Sequence, residues 1–444
     1  MPFAQILARA SAALIGGLLG GASALAETAW GTLPSPDAGT RTQLFGVAAL
    51  GPGATVAVGA YNPGQAPTKV LTQPFAQRWD GSAWQPTPVA LPPAYPSQAA
   101  RLASAAAISA SQAWAVGHVE DVGSLSSQTL AYRWDGSTWT RVATPNPAPP
   151  GVGNRLHAVV SRAPGEAWAA GETDYPERSL MLRWDGVAWR EAATPDLGPL
   201  RAIAADSRYV WAASDREVMR FNGRRWTLLA PPPLPPSADQ LQLTALAASG
   251  GRLWAVGVRL SRQGEGYVAG PYAAYLQRGQ WVLLASPPAA GGLVAVVVAT
   301  DGVVRATSTG GDIVRLSAVG ATAEVTPEPG SVSLDAIAAG GDGLQWAVGT
   351  RYEVDGTPRA MVYVAPGVGQ GGMRVSTGFG QATITWIGPV TGSGVADAQG
   401  HFAVGGLPVG GYQIVSSGGN CNPGIAGIAV QAGLVTGVEA LVQC

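Results

Sequence analysis

Arg133-Trp134-Asp135-Gly136-Ser137-Thr138-Trp139 and, about 50 residues later, Arg183-Trp184-Asp185-Gly186-Val187-Ala188-Trp189 are two copies of one phrase. An earlier copy reads Arg78-Trp79-Asp80-Gly81-Ser82-Ala83-Trp84, and a later one Arg220-Phe221-Asn222-Gly223-Arg224-Arg225-Trp226. A degraded version survives as Gln277-Arg278-Gly279-Gln280-Trp281. Asp-Gly and Asn-Gly tolerate the positive φ that a tight hairpin demands, so each phrase is a turn with a strand on either side. Asp80, Asp135 and Asp185 are expected to form turns.

A second phrase precedes these turns: Ala113-Trp114-Ala115-Val116-Gly117, Ala167-Trp168-Ala169-Ala170-Gly171, Val210-Trp211-Ala212-Ala213 and Leu253-Trp254-Ala255-Val256-Gly257, with another copy at Gln345 to Gly349. In the first unit Val56-Ala57-Val58-Gly59 replaces it. Ahead of these lies a third, small-residue run, beginning at Leu44, Leu102, Leu156, Leu200, Leu243, Leu293 and Leu334. About four short apolar runs in ~50 residues match one blade of a β-propeller. The innermost strand is rich in Ala because blades converge on the axis, and Trp at the outer strands fills the widening gaps. Counting small-residue runs predicts a seven-bladed β-propeller, whose sixth unit, Leu293 to Val325, lacks Trp. The last unit has no fourth-strand phrase, but Trp30-Gly31-Thr32-Leu33-Pro34-Ser35-Pro36 reads like one. The N-terminal strand is therefore expected to complete the last blade, removing an exposed sheet edge.

Composition agrees with an all-β fold. Gly (61) and Pro (35) exceed a fifth of the 444 residues, which disfavours long helices. With 47 % hydrophobic residues and 15 Trp the chain is too apolar to be disordered. Lys plus Arg number 27 against 28 Asp plus Glu, a balance that argues against an electrostatic nucleic-acid binder.

Arg9, the mostly apolar stretch Ala10 to Ala22 and the small residues of Ala24-Leu25-Ala26 read as a signal peptide, residues 1–26, cleaved before Glu27. The apolar run is short for a membrane span, and none is expected after cleavage. The mature chain is expected to be extracytoplasmic, secreted or periplasmic. Cys421 and Cys444, its two cysteines, fit a disulfide formed in an oxidising compartment.

From Thr28 to Ala365 the phrases resemble bacterial secreted propellers built from Trp-Asp-Gly-x-x-Trp and Trp-Ala-Val-Gly repeats, of kelch and galactose-oxidase-type pattern. The expected propeller spans 27–365 and a linker 366–372. In 373–444, Asp397-Ala398-Gln399-Gly400-His401-Phe402 and Leu407-Pro408-Val409-Gly410-Gly411-Tyr412 resemble the carboxypeptidase regulatory-like domain, which implies a small prealbumin-like β-sandwich with an accessory role. Its front, Met373 to Pro389, is shorter than the family pattern.

Three histidines, His118, His157 and His401, are too few and too dispersed for a three-histidine metal site, so no metal and no cofactor is expected. Neither a Gly-x-Ser-x-Gly elbow nor a phosphate-binding loop occurs. Asp-Gly-x-x-Trp is one residue short of the Asp box of sialidases. Individuality lies instead in the segments after each Trp-Ala phrase, read as loops at the channel mouth: His118, Glu120 and Asp121; Glu172, Asp174 and Tyr175; Arg259 to Tyr267; Arg351 and Tyr352. At the second position of the innermost strand, His157, Arg201 and Asp335 adjoin the same mouth. These groups are expected to hold a ligand, a carbohydrate or an extracellular protein, with Trp and Tyr suited to sugar faces. The alternatives are an enzyme, a lyase or glycosidase using Asp121, Glu172 or Asp174, and a structural envelope protein.

Overall fold

The computed structural model describes residues 30–442 except 65–69, 82, 91, 93–97, 125, 150, 301, 328–329, 342, 366–369, 388–391, 398, 409, 419–420 and 431–434. The expected signal peptide, most of the linker and Cys444 lie outside the described residues. Among the described residues the chain is all-β, without a helix.

The turn phrases fold as their chemistry dictates. Asp135 Oδ1 accepts hydrogen bonds from the amides of Ser137 and Thr138, each 2.8 Å, and Gly136 has φ 106°. Asp185 does the same for Val187 and Ala188, and Asn222 for Arg224 and Arg225. These amide bonds hold the Asp135 and Asp185 carboxyls well below the usual carboxylate range.

Each turn joins the third and fourth strands of a four-stranded antiparallel sheet. Sheet A comprises Arg41–Gly51, Ala54–Asn62, Val70–Trp79 and Trp84–Pro86. Sheet B comprises Gln98–Ser109, Gln112–Asp121, Ser126–Trp134 and Trp139–Val142, and joins A through a short parallel pairing of Val70 with Gln98. Sheet C holds Asn154–Ala163, Glu166–Thr173, Arg178–Trp184 and Trp189–Glu191; sheet D holds Ala202–Ala205, Val210–Ala213, Val218–Phe221 and Trp226–Leu228. Sheet E runs from Gln240–Ser249 through Arg252–Gln263 and Gly266–Gln277 to Gln280–Leu283. Sheet F, the Trp-free unit, is a full sheet of Leu293–Val298, Val304–Ser308, Ile313–Ser317 and Gly320–Glu324. Sheet G is Val332–Ala339, Gln345–Tyr352 and Pro358–Ala365, and its fourth strand is Gly31–Leu33, with Gly31 opposite Val364 and Leu33 opposite Val362.

The hydrophobic cores lie between sheets, in the order A to B, B to C and onward to F to G, and a further core joins G back to A. First strands follow the same circuit, the one in G packing against the one in A. This is the architecture of a β-propeller.

Aromatic rings set the spacing. In the B–C, C–D and G–A pairs the Trp-Ala tryptophan of one sheet inserts between the two aromatics that flank the turn of the next. Trp114 lies 4.8 Å from Trp184 and 4.9 Å from Trp189, and Trp346 lies 5.3 Å from both Trp79 and Trp84. Such offset and edge contacts add roughly 0.5–1.5 kcal/mol each beyond the area they bury. In sheet F, Arg305 occupies the tryptophan position. Its guanidinium is buried and bonds both carboxylate oxygens of Glu324 at 2.9 Å, and Glu324 also accepts a bond from Trp30 of sheet G.

Beyond residue 370 two further sheets share one core. Gln370–Ser376 pairs with His401–Pro408 and, in parallel, with Val435–Glu439. Thr383–Ile387 lies between Gly392–Val395 and Gly410–Ser417, with Gly424–Val430 at the edge. Met373, Val375 and Leu407 from the first sheet meet Ile384, Tyr412 and Ile414 from the second. The first strand thus starts at Gln370, inside the segment read as linker, and the front of this region supplies a strand paired on both sides. His401, at the start of its strand, has a side chain 58 % exposed.

Candidate functional site

A shared irregularity builds the site. In sheets A, B, C, E, F and G the first strand carries a β-bulge right after its leading Leu, which makes Phe45, Ala103, His157, Thr244, Val294 and Asp335 the extra residues. In sheet D, Arg201 holds the equivalent place, just before the strand Ala202–Ala205, its amide bonded to the Ala213 carbonyl. In sheets A, B, C, E and G a glycine lies opposite the leading Leu, whereas sheet F makes the same bulge opposite Ser308. A methyl group on Gly117, Gly171 or Gly349 would strike the carbonyl oxygen of Arg101, Arg155 or Ser333 across the ladder. Glycine lets the two backbones close, and the extra residue is turned aside. His157, Arg201 and Asp335 therefore occupy equivalent places, each at the end of its sheet where the second strand finishes.

Arg155 and Glu172 are cross-strand partners at this end of sheet C. Glu172 is the hub. It lies 3.2 Å from His157 Nε2, 3.2 Å from Arg201 and 3.7 Å from Arg155, and its side chain is only 10 % exposed. Arg155 also meets Asp174 at 2.7 Å and, across to sheet B, Glu120 at 3.8 Å. Arg201 reaches Asp215 at 3.8 Å. His157 Nε2 is also 3.2 Å from the Arg201 guanidinium, so that nitrogen can either donate to Glu172 or accept from Arg201.

Burial alone would raise the Glu172 carboxyl, but the His157 hydrogen bond and the charges of His157, Arg201 and Arg155 outweigh it and hold it below the ordinary value. His118 pairs with Arg101 across sheet B and is buried; burial first, then the Arg101, His157 and Arg155 neighbours, push its pKa down to about 3. Its Nδ1 is buried without a hydrogen-bond partner among the described residues. Asp335 is half-buried and pushed up to about 7 by burial, against the opposing Ser333 hydrogen bond and the Arg101 charge. Arg101 lies over the Phe45 ring at 5.7 Å.

His118, Glu120, His157, Glu172, Asp174 and Arg201 are thus brought into one network, and Asp335 lies within the field of its Arg101 flank. The remaining candidates stand apart. The Asp121 carboxylate closes its own turn through Gly123 and Ser124. Arg259 bonds Ser261, and Arg351 bonds Glu353. Tyr175, Tyr267 and Tyr352 are 87 %, 52 % and 53 % exposed near hairpin tips. The segments read as loops are a correction: His118, Glu120, Asp121, Glu172, Arg259, Arg351 and Tyr352 lie inside second strands and Tyr267 inside a third, because these ladders run past the glycine. Of the aromatic residues expected to suit a sugar, most tryptophans are buried in inter-sheet cores, while Tyr175, Tyr267 and Tyr352 are exposed.

Sequence reasoning missed Arg101, Arg155 and Asp215. The signal for the first two was present, since each arginine immediately precedes the leading Leu of its strand. No group of three or more metal-ligating side chains occurs among the described residues, and no helix there is long and apolar enough to cross a membrane.

No protein-family model matches the chain, and no curated relative matches it. Its fold is similar to solved propellers. A structure described as YCF48 bound to D1 peptide has 13 % identity and a TM-score of 0.49, over 76 % of this chain and 96 % of that one. YCF48 from Cyanidioschyzon merolae has 14 % identity and a TM-score of 0.48, over 75 % and 98 %. The WD40 β-propeller domain of Doa1 has 9 % identity and a TM-score of 0.48, over 77 % and 96 %. At these identities the likeness concerns the fold alone.

Proposed function

We propose that the chain is a secreted, non-enzymatic binding protein. In this reading, signal cleavage before Glu27 releases a seven-bladed propeller, with Gly31–Leu33 completing the last blade. A carboxypeptidase regulatory-like sandwich follows, tied by a Cys421–Cys444 disulfide. The bulge end of sheets B, C and D takes a polar ligand, a carbohydrate or a segment of an extracellular protein.

The observation that supports it is the Arg155–Glu172–His157–Arg201 network itself. Sheets E and F complete the same bulge with Thr244 and Val294, so the fold does not need charge at this place. Partly buried charges cost desolvation free energy that their mutual attraction offsets only in part. A cluster kept in one sector of the ring is therefore better explained by recognition than by stability.

The test is a glycan array and an extracellular-peptide array probed with the mature chain, with Arg201→Ala/His157→Ala and with Arg315→Ala, a control on exposed Arg315 of sheet F. Loss of a captured ligand in the double variant alone supports the reading. A ligand retained by a folded double variant overturns it.

Asp335 favours one second reading. A half-buried acid raised to about 7 has the protonation poise of a general acid, as a lyase or glycosidase requires. Glu172, whose carboxyl is held below its ordinary value, would remain an ionised partner. Turnover on a hydrolase and lyase substrate panel that Asp335→Asn abolishes would select this reading. Self-association without ligand capture would select a structural envelope role.

A further inference from the structure

We propose a second ligand site, outside the mouth, in the cleft between the outer strands of sheets C and D, and that it takes an acidic oligosaccharide. The cleft encloses about 610 Å³, within the usual size range of ligand pockets.

Three departures from the repeat converge on it. Phe221 replaces the tryptophan that opens the turn phrase in sheets A, B and C and lines the cleft beside Trp168. Trp226 is half-buried, like Trp281 but unlike its counterparts Trp84, Trp139 and Trp189, which are at most 5 % exposed, and it lines the cleft. Arg224 and Arg225 replace the small pairs Ser137-Thr138 and Val187-Ala188 in the turn.

The walls are cationic. Arg183 and Arg190 stand on the sheet C side, Arg224 and Arg225 on the sheet D side, against Asp185 and Glu191, a net charge of +2 in a chain of net −1. Arg190 is neutralised by Asp185 at 2.7 Å, and Arg183, which lies over the Trp168 ring at 5.0 Å, is paired with Glu166 at 3.5 Å, so the unengaged positive charge of the cleft is that of Arg224 and Arg225. The Arg224 and Arg225 side chains are exposed and have no charged partner among the described residues. Guanidinium forks pair bidentately with carboxylate or sulfate, and a flat indole face suits the apolar face of a sugar ring. The combination selects an anionic sugar over a neutral one.

The full mature chain is titrated by calorimetry with oligogalacturonate, dextran sulfate oligomers, neutral dextran oligomers and polyglutamate. The two anionic sugars separate carboxylate from sulfate as the preferred group. Binding of either one, weakened at least about tenfold by Arg224→Ser/Arg225→Ser and left unchanged by Arg201→Ala at the mouth, supports the site. Arg224→Ser/Arg225→Ser is a surface change, whereas Arg201 is half-buried, and matching thermal unfolding verifies that both variants fold. No binding of either anionic sugar, equal binding of neutral dextran, binding of polyglutamate alone, or anionic binding indifferent to the double variant would overturn it.

Discussion

The indole Nε1 of Trp30 donates a 2.8 Å hydrogen bond to the Glu324 carboxylate, joining residues 294 positions apart. The same carboxylate holds buried Arg305, and the Trp30 amide bonds the Val325 carbonyl. The N-terminal strand is therefore held both by its ladder with Pro358–Ala365 and by a polar clasp on the neighbouring sheet. That clasp stands where other sheet pairs use stacked indoles.

Glu324→Leu leaves the Arg305 charge buried without its carboxylate and should cost about 3–5 kcal/mol. Arg305→Leu/Glu324→Leu removes both charges and should recover most of that loss. Urea unfolding of the variants measures both, and a pair as unstable as the single variant would refute the clasp.

Gly171→Ala places a methyl group against the Arg155 carbonyl. Opening the ladder there should cost about 1–3 kcal/mol, as overpacking does. It should also displace Arg155 from Glu172, so thermal unfolding and loss of mouth binding should change together.

Asp335 has a folded pKa of about 7 against an ordinary 3.8. A raised carboxyl stabilises the fold below the ordinary value and loses that contribution as pH rises through 7. Asp335→Asn should thus be more stable than the parent at pH 8, by about 1–2 kcal/mol after allowance for solvent screening, and equal to it near pH 4. Denaturation at the two pH values checks the sign.

Glu172 titrates in the opposite sense, its folded pKa lying below the ordinary 4.5. Its contribution is present above the unfolded value and disappears as pH falls through the folded one. Glu172→Gln should cost about 1–3 kcal/mol at pH 7, and the deficit should close in acid. A deficit independent of pH would indicate packing in place of charge.

The repeat was legible because turn chemistry is local. Asp135-Gly136 and Asp185-Gly186 specify their hairpins through bonds to amides two and three residues ahead, and the indoles flanking them mark the outer strands. His157, Arg201 and Asp335 could be read as equivalent because they follow the same leucine. Arg155 escaped that reading because it lies one residue outside the apolar run, and its importance comes from carboxylates on two other strands. The segments from His118 and Glu172 looked like loops because polarity is the mark of a loop, yet their backbones continue the ladder.

The sequence by itself determined the sheets, since period-two apolar runs and Asp-Gly turns act over a few residues. Only the tertiary structure decided which charges meet. Arg155 reaches Glu120 and Arg201 reaches Glu172 because the sheets are rotated about a common axis until their indoles interlock, and that rotation is a property of the whole circuit. The cleft beside Trp226 has the same origin: its walls, Arg183 and Arg190 on one sheet and Arg224 and Arg225 on the next, face each other only when the two sheets are packed together.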